Sequence, residues 1–141
     1  MNVVVDASVA IKWVVDEELT GAADRLFGRG FRLTAPDLLL VECANAVWKK
    51  VGRGEITEAY GDEAMALLRS FALDLRPTAT LVEAALTLAQ ELRHPIYDCL
   101  CLAVAQAIRG VVVTADRRFL AAVSASRLAE RVAWVETPPG P

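Results

Sequence analysis

The stretch NVVVDAS, residues 2–8, carries three valines in a row and then an aspartate. A strand that is apolar at every position expects burial on both faces, as in a parallel sheet covered by helices; a half-exposed strand would alternate. Asp6 ends the run, and a carboxylate is costly to bury without a partner. The same grammar returns in VVVTAD, residues 111–116, where Asp116 follows a second valine-rich strand. Two doubly covered strands that each run out into an acid imply a sheet edge at which both carboxylates stand.

The rest of the chain reads outward from these strands. SVAIKWVV (8–15) and residues 18–29 predict two short helices, and FRLTAP (31–36) a brief strand stopped by Pro36. DLLLVECANAVWKKVG (37–52) has an acidic start, lysines near its end and a closing glycine, which are helix signals. RGE (53–55) is a turn, residues 55–72 carry a second helical pattern, LDLRP (73–77) is a short strand and residues 78–92 a helix. YDCLCLAVAQAIRG (97–110) is apolar almost all round, so it predicts a buried helix. Residues 117–124 read as a helix, VAWVE (132–136) as a last strand and TPPGP (137–141) as a coil tail. Short apolar strands alternating with helices predict an α/β fold, a three-layer α/β/α sandwich with a mainly parallel sheet, in a single domain over residues 1–136. Ligands of such sheets bind beyond the carboxyl ends of the strands, near the point where strand order reverses. Asp6 and Asp116 both fall there.

Composition narrows the function classes. A chain of 141 residues can bury about two-thirds of its unfolded surface. Its hydrophobic fraction of 55% implies a large core or an apolar surface meant for a partner. No run approaches the ~18 apolar residues of a membrane span, and no basic-then-apolar leader opens the chain, so the expected location is cytoplasmic. Cys43, Cys99 and Cys101, odd in number and set in apolar sequence, suit reduced, buried thiols. Cys99 and Cys101 lack the paired spacing of a zinc site, and the one histidine, His94, precedes Pro95. A net charge of −3 argues against a broadly basic nucleic-acid coat while leaving room for a local patch.

Four carboxylates remain. Glu42 lies in a helix with few polar interruptions and shares its face with Asn45 and Lys49. It is either part of a solvated stripe or aimed into a cavity with Asn45 in support. Asp98 heads the buried helix, and Asp6 and Asp116 each precede one, so all three could act as N-caps. Taken together they form a pattern: two strand ends, one buried-helix head and one mid-helix acid at one sheet edge. Four converging carboxylates ionise poorly without a cation. A hard divalent ion with oxygen ligands, Mg²⁺ or Mn²⁺, resolves the repulsion. A cluster of this kind, without His, Cys or Lys nucleophiles, suits activation of water for phosphodiester cleavage. A phosphoacceptor receiver or an aspartate-based phosphatase fits poorly. Lys12, Lys49 and Lys50 are the only lysines, so none follows the later motifs, and Ser8 stands where the phosphatases need a second aspartate.

VVDASVAIKWV, Glu42 with Asn45 in its apolar helix, IYDCLCLAVA and VVTADRRF together resemble the PIN-domain nucleases, with their nearest likeness in the VapC toxins of bacterial toxin–antitoxin pairs. The resemblance covers essentially the whole chain. It implies a parallel sheet between helices, a metal-dependent endoribonuclease using Mg²⁺ or Mn²⁺, and an antitoxin partner. Carried over by motif, the metal-site acids are Asp6, Glu42, Asp98 and Asp116, and Ser8 and Thr114 match accessory hydroxyls. Many relatives carry a further acid just after the fourth, where this chain has Arg117 and Arg118. That departure leaves less negative charge on this side of the site, so the number of ions stays open between one and two; one firmly held ion, with a second recruited by the RNA phosphate, is compatible with the residues. A PIN-like protein that binds RNA or a partner without cleaving it is the alternative reading. Taking the four acids out of the net charge of −3 leaves +1; Lys12, Lys49, Lys50, Arg53, Arg117 and Arg118 flank the motifs as candidate phosphate contacts. The apolar excess and the family likeness further predict a homodimer and an exposed apolar groove for an antitoxin segment, with Trp13, Val14 and Leu19 in early helices beside the site mouth and Trp48 on the third helix; the competing reading puts the tryptophans in the core.

Overall fold

The two valine runs pair side by side at the centre of the sheet in a computed structural model that describes residues 1–140. The strands are β1 (Asn2–Val5), β2 (Arg32–Pro36), β3 (Asp74–Arg76), β4 (Val111–Thr114) and β5 (Val132–Trp134). They are parallel throughout and lie in the order β3-β2-β1-β4-β5. Val3, Val4 and Val5 face Val111, Val112 and Val113 in register. None of the three β1 valines exposes any surface, which is why the run does not alternate. Order reverses between β1 and β4, so the crevice at their carboxyl ends is the position this topology offers a ligand.

Helices cover both faces, as the strand pattern requires. The helices are α1 (Ala7–Ala10), α2 (Thr20–Asp24), α3 (Leu38–Gly52), α4 (Glu58–Ser70), α5 (Val82–Leu92), α6 (Ile96–Ile108) and α7 (Arg117–Ser124). The pleat divides the core in two. Val3, Val5, Leu33, Ala35 and Val113 pack against Val9, Leu39, Val47 and Leu68 from α1, α3 and α4. Val4 and Val112 pack against Leu88, Leu102, Phe119 and Val123 from α5, α6 and α7. The predicted three-layer sandwich is therefore the fold observed. Among the described residues no helix is long and apolar enough to cross a membrane.

Three expectations shift. The helix expected over 18–29 shortens to α2 and a 3-10 turn at Phe27–Arg29, because Leu19 adopts a left-handed φ of 71° that interrupts the pattern. The helix expected over 78–92 begins as a separate turn, Thr78–Thr80, whose first residue is tied to Asp37: the Thr78 N–H and hydroxyl both donate to Asp37 Oδ1. Trp13 and Val14 are core residues and do not line a groove. The Trp13 ring packs 4.7 Å from Phe27 and 5.8 Å from Phe71, and its indole N–H donates to the Ala23 carbonyl at 2.9 Å. Leu19 is likewise packed against that core. Only Trp48, 70% exposed on α3, keeps the expected position at the surface.

Candidate active site

Topology carries the acids to one edge. Asp6 directly follows β1, and Asp116 lies two residues beyond β4. α3 leaves the carboxyl end of β2, so Glu42, in its second turn, is still near that edge. α6 descends toward the start of β4, so its first turn, which holds Asp98, begins at the same edge. The four carboxylates repel one another: Asp6 feels Asp98, Glu42 feels Asp98 and Asp6, and Asp98 feels Asp116.

Asp6 is the buried centre of the group, only 3% exposed. Its Oδ1 accepts from the Ser8 hydroxyl at 2.6 Å and the Val9 N–H at 3.1 Å, while Oδ2 accepts from the Thr114 hydroxyl. Ser8 Oγ in turn accepts from the Ala115 N–H at 2.9 Å, and Thr114 Oγ1 from the Asp116 N–H at 3.0 Å. Two hydroxyls thus stitch the end of β1 to the end of β4 across the reversal point and hold the Asp6 carboxylate between them. The N-cap and strand-end readings of Asp6 both apply, since it caps α1 through Val9.

Burial dominates the electrostatics. It pushes the Asp6 carboxyl up to about 6 against the opposing pull of Ser8 and Thr114. It pushes Glu42 up to about 7, with repulsion from Asp98 and Asp6 adding to it. Asp98 is also raised by burial, offset in part by a hydrogen bond from His94. Asp116 accepts from the backbone N–H groups of Arg118 and Phe119 at 2.8 and 3.1 Å, so it is the N-cap of α7. Asp98 is not a cap, because Pro95 holds that position in α6. No lysine or arginine pairs with any of the four acids among the described residues. As placed, no three His, Cys, Asp or Glu groups among those residues close on a common point.

The other candidates separate. Asn45 is exposed and shares the wall of a cleft of about 430 Å³ with Leu38, Val41, Glu42 and Tyr97; no hydrogen bond joins it to Glu42. Lys12 and Lys50 grip opposite oxygens of Glu17 at 2.8 and 2.9 Å, and Lys50 also meets Glu55 at 3.3 Å. Arg53 lies 3.8 Å from Glu55. Arg117 stacks over the Trp134 ring at 4.7 Å. Lys49 and Arg118 are exposed with no carboxylate partner among the described residues, so of the six candidate cations these two are the least committed within the fold. Burial pushes the Cys43 and Cys99 thiols up to about 12 and about 11 and also raises Cys101 well above its ordinary value, which keeps all three as inert, protonated thiols.

Sequence reading passed over two residues. In the sequence His94 offers itself only as a zinc ligand, yet its Nε2 lies 2.6 Å from Asp98 Oδ2. The signal was the i,i+4 spacing across the start of α6. Tyr97, 58% exposed, precedes Asp98 in the first turn of α6 and lines the same cleft as Glu42; a lone tyrosine carries no such signal in the sequence.

Known proteins agree with this architecture. A family model described as the PIN domain matches residues 3–124. Ribonuclease VapC3 of Pyrobaculum aerophilum is 33% identical over 123 residues, which span 84% of this chain and 92% of that protein. The crystal structure of PAE2754 from the same organism superposes with a TM-score of 0.70 at 25% identity, covering 96% of this chain and 85% of that one. VapC20 of Mycobacterium tuberculosis, described as a Sarcin-Ricin loop cleaving toxin, shares the fold with a TM-score of 0.67 at 19% identity over 85% of this chain and 94% of its own. With the sheet order, the acid-bearing edge and these likenesses in agreement, the chain belongs to the PIN-domain family.

Proposed function

We propose that this chain is a metal-dependent endoribonuclease, the toxin of a toxin–antitoxin pair, with Asp6, Glu42, Asp98 and Asp116 as its metal-holding acids. The carrying observation is electrostatic. Three carboxylates are buried enough to be pushed up in pKa, and neither lysine nor arginine answers them among the described residues. The donors are all hard oxygens, the set that suits Mg²⁺ or Mn²⁺, so residue chemistry fits the ion. Side-chain rotation at Glu42 and Asp116 would have to accompany its arrival. Kinship with a protein named Ribonuclease VapC3 supports the reaction.

The chain's own groups divide the work. Asp6, locked by Ser8, Thr114 and the Val9 N–H, supplies a fixed anchor. Asp98 and Glu42 bring charge from the opposing helices, and Asp116 closes the far side. When bound, a divalent ion would lower the pKa of a water and steady charge gathering on the phosphate. Lys49 and Arg118, with Arg117 behind them, would draw the RNA backbone toward an edge that is otherwise acidic. Exposed Trp48, Val41 and Tyr97 leave apolar surface for an antitoxin segment or a second copy of the chain, and the reading includes both partners.

The test is cleavage of a mixed RNA pool by the purified chain in millimolar Mg²⁺ or Mn²⁺, in excess EDTA, and by Glu42→Gln. Cutting that needs the ion and is lost in the variant supports the reading. Equal cutting in EDTA, or none by the wild type under any condition, rejects it; binding without cutting would favour the non-cleaving alternative.

A further inference from the structure

We propose that His94 is a positioning residue that sets the orientation of Asp98 toward a divalent cation. This rests on the metal-dependent reading above and deepens it. The imidazole Nε2 lies 2.6 Å from Asp98 Oδ2, and the His94 side chain is 11% exposed. With the carboxylate ionised, Nε2–H donates and Oδ2 accepts, a charge-assisted hydrogen bond in a partly desolvated setting. Oδ1 has no hydrogen-bond partner among the described residues, so one oxygen is held and the other is left for a ligand.

His94 is itself fixed on three sides. Arg93 turns the chain with a left-handed φ of 51°, the His94 N–H closes α5 on the Ala89 carbonyl at 3.2 Å, and Pro95 stiffens the entry to α6. The ring then lies 5.3 Å from that of Phe119, a fully buried residue three positions after Asp116. One imidazole therefore ties the acid of α6 to the helix that Asp116 caps. Asp98 is also the carboxylate most widely felt in the site, since Asp6 and Glu42 respond to it and it responds to Asp116. A partner that stops this side chain from turning fixes an acid whose charge reaches both Asp6 and Glu42. Outer partners of metal ligands act in this way, and losing one weakens metal affinity by about 10–100-fold.

The experiment measures Mn²⁺ affinity of the purified chain without RNA, at pH 7.5, from the electron paramagnetic resonance signal of free aqueous Mn²⁺. The proteins are wild type, His94→Gln, His94→Leu, Asp98→Asn and the His94→Leu/Asp98→Asn double variant. Gln places an amide N–H near the position of Nε2, whereas Leu fills the space against Phe119 without a donor. Expected are a Kd raised about tenfold or more in His94→Leu and kept within about threefold in His94→Gln. In the Asp98→Asn background, His94→Leu should add no further loss, because His94 acts through Asp98. Equal affinity of wild type and His94→Leu overturns the inference, as does failure of Gln to rescue or an undiminished effect of Leu in the double variant. Should His94→Leu fail to melt cooperatively, His94→Asn, whose amide is too short to reach Oδ2, replaces it, and equal affinity of Asn and Gln variants is then the overturning result. A wild type that binds no Mn²⁺ overturns the metal-dependent reading itself, which the variants alone cannot do.

Discussion

Asp6→Asn should stabilise the metal-free protein at pH 7.5 and flatten its dependence on pH. Asp6 is almost wholly buried, and burial lifts its carboxyl from 3.8 to about 6 even though Ser8, Thr114 and the Val9 N–H favour the charge. A folded pKa above the unfolded one means that the native state holds the proton more tightly. The stabilising contribution is therefore complete below about pH 3.8 and is lost as pH rises through about 6. At about 1.4 kcal/mol per unit, a shift of roughly two units makes the ionised carboxylate cost about 3 kcal/mol above pH 7. Asparagine keeps an acceptor for Val9 and Ser8, but Thr114 must turn its hydroxyl to receive the new amide N–H, which takes back part of the gain. The net expectation is about 1–3 kcal/mol, or roughly 3–9 °C in melting temperature for a domain of this size. Calorimetric melts in EDTA at pH 5, 6, 7 and 8 measure it, with the wild type losing stability more steeply than the variant as pH rises. A variant that melts below the wild type at pH 7.5, or two parallel profiles, would show that burial does not penalise the charged Asp6 carboxylate.

Glu42 and Asp6 hold protons up to about pH 7 and 6 in the metal-free site, and protons compete with cations for the same oxygens. Titration calorimetry should therefore find Mg²⁺ and Mn²⁺ affinity falling from pH 8 to 5.5, and a pH-independent affinity would contradict the account. Trp13→Ala should cost about 3–5 kcal/mol in urea unfolding, because the ring is buried between Phe27 and Phe71. Trp48→Ser, at a position 70% exposed, should change stability by about 0.5 kcal/mol or less; equal losses would reverse the assignment of the two tryptophans. Gly110→Ala should destabilise by about 1–3 kcal/mol, since an added Cβ would sit 2.8 Å from the Asn2 carbonyl oxygen beside the central strand pair; an unchanged urea midpoint would show that the strands can give.

Much of the fold was legible because it rests on long, one-valued signals. An unbroken valine run has one stable setting, a strand covered on both sides, and two such runs ending in acids point to the carboxyl edge of a parallel sheet. α3 and α6 were equally plain, one from its end signals and the other from its apolar girth. What escaped depends on contacts between distant segments. The turn at Thr78 is set by Asp37, forty-one residues earlier, and the break at Leu19 is a single backbone angle. Trp13 reads as a surface anchor or a core residue with equal ease until Phe27 and Phe71 are seen around it. Within the site, the acids announce themselves because charge is rare in such apolar sequence. Their supports do not: Ser8 and Thr114 rest on motif likeness, and the pairing of His94 with Asp98 needs the turn between α5 and α6 to be known. Lys12 and Lys50 look like phosphate contacts in the sequence, and only the folded chain shows both committed to Glu17.

If carboxylates at this sheet edge direct water to an RNA phosphate, the oxygen of that water must appear in the product. Cleavage by the wild-type chain in single turnover, with Mg²⁺ and in ¹⁸O-enriched water, should place one ¹⁸O in a terminal phosphate, because water forms the new P–O bond as the ester bond to the leaving ribose oxygen breaks and that oxygen takes up a proton. An RNA carrying 2′-methoxy groups should be cut in the same way. A 2′,3′-cyclic phosphate without label, and no cutting of the methoxy substrate, would show that the neighbouring 2′-hydroxyl is the nucleophile and would contradict the account.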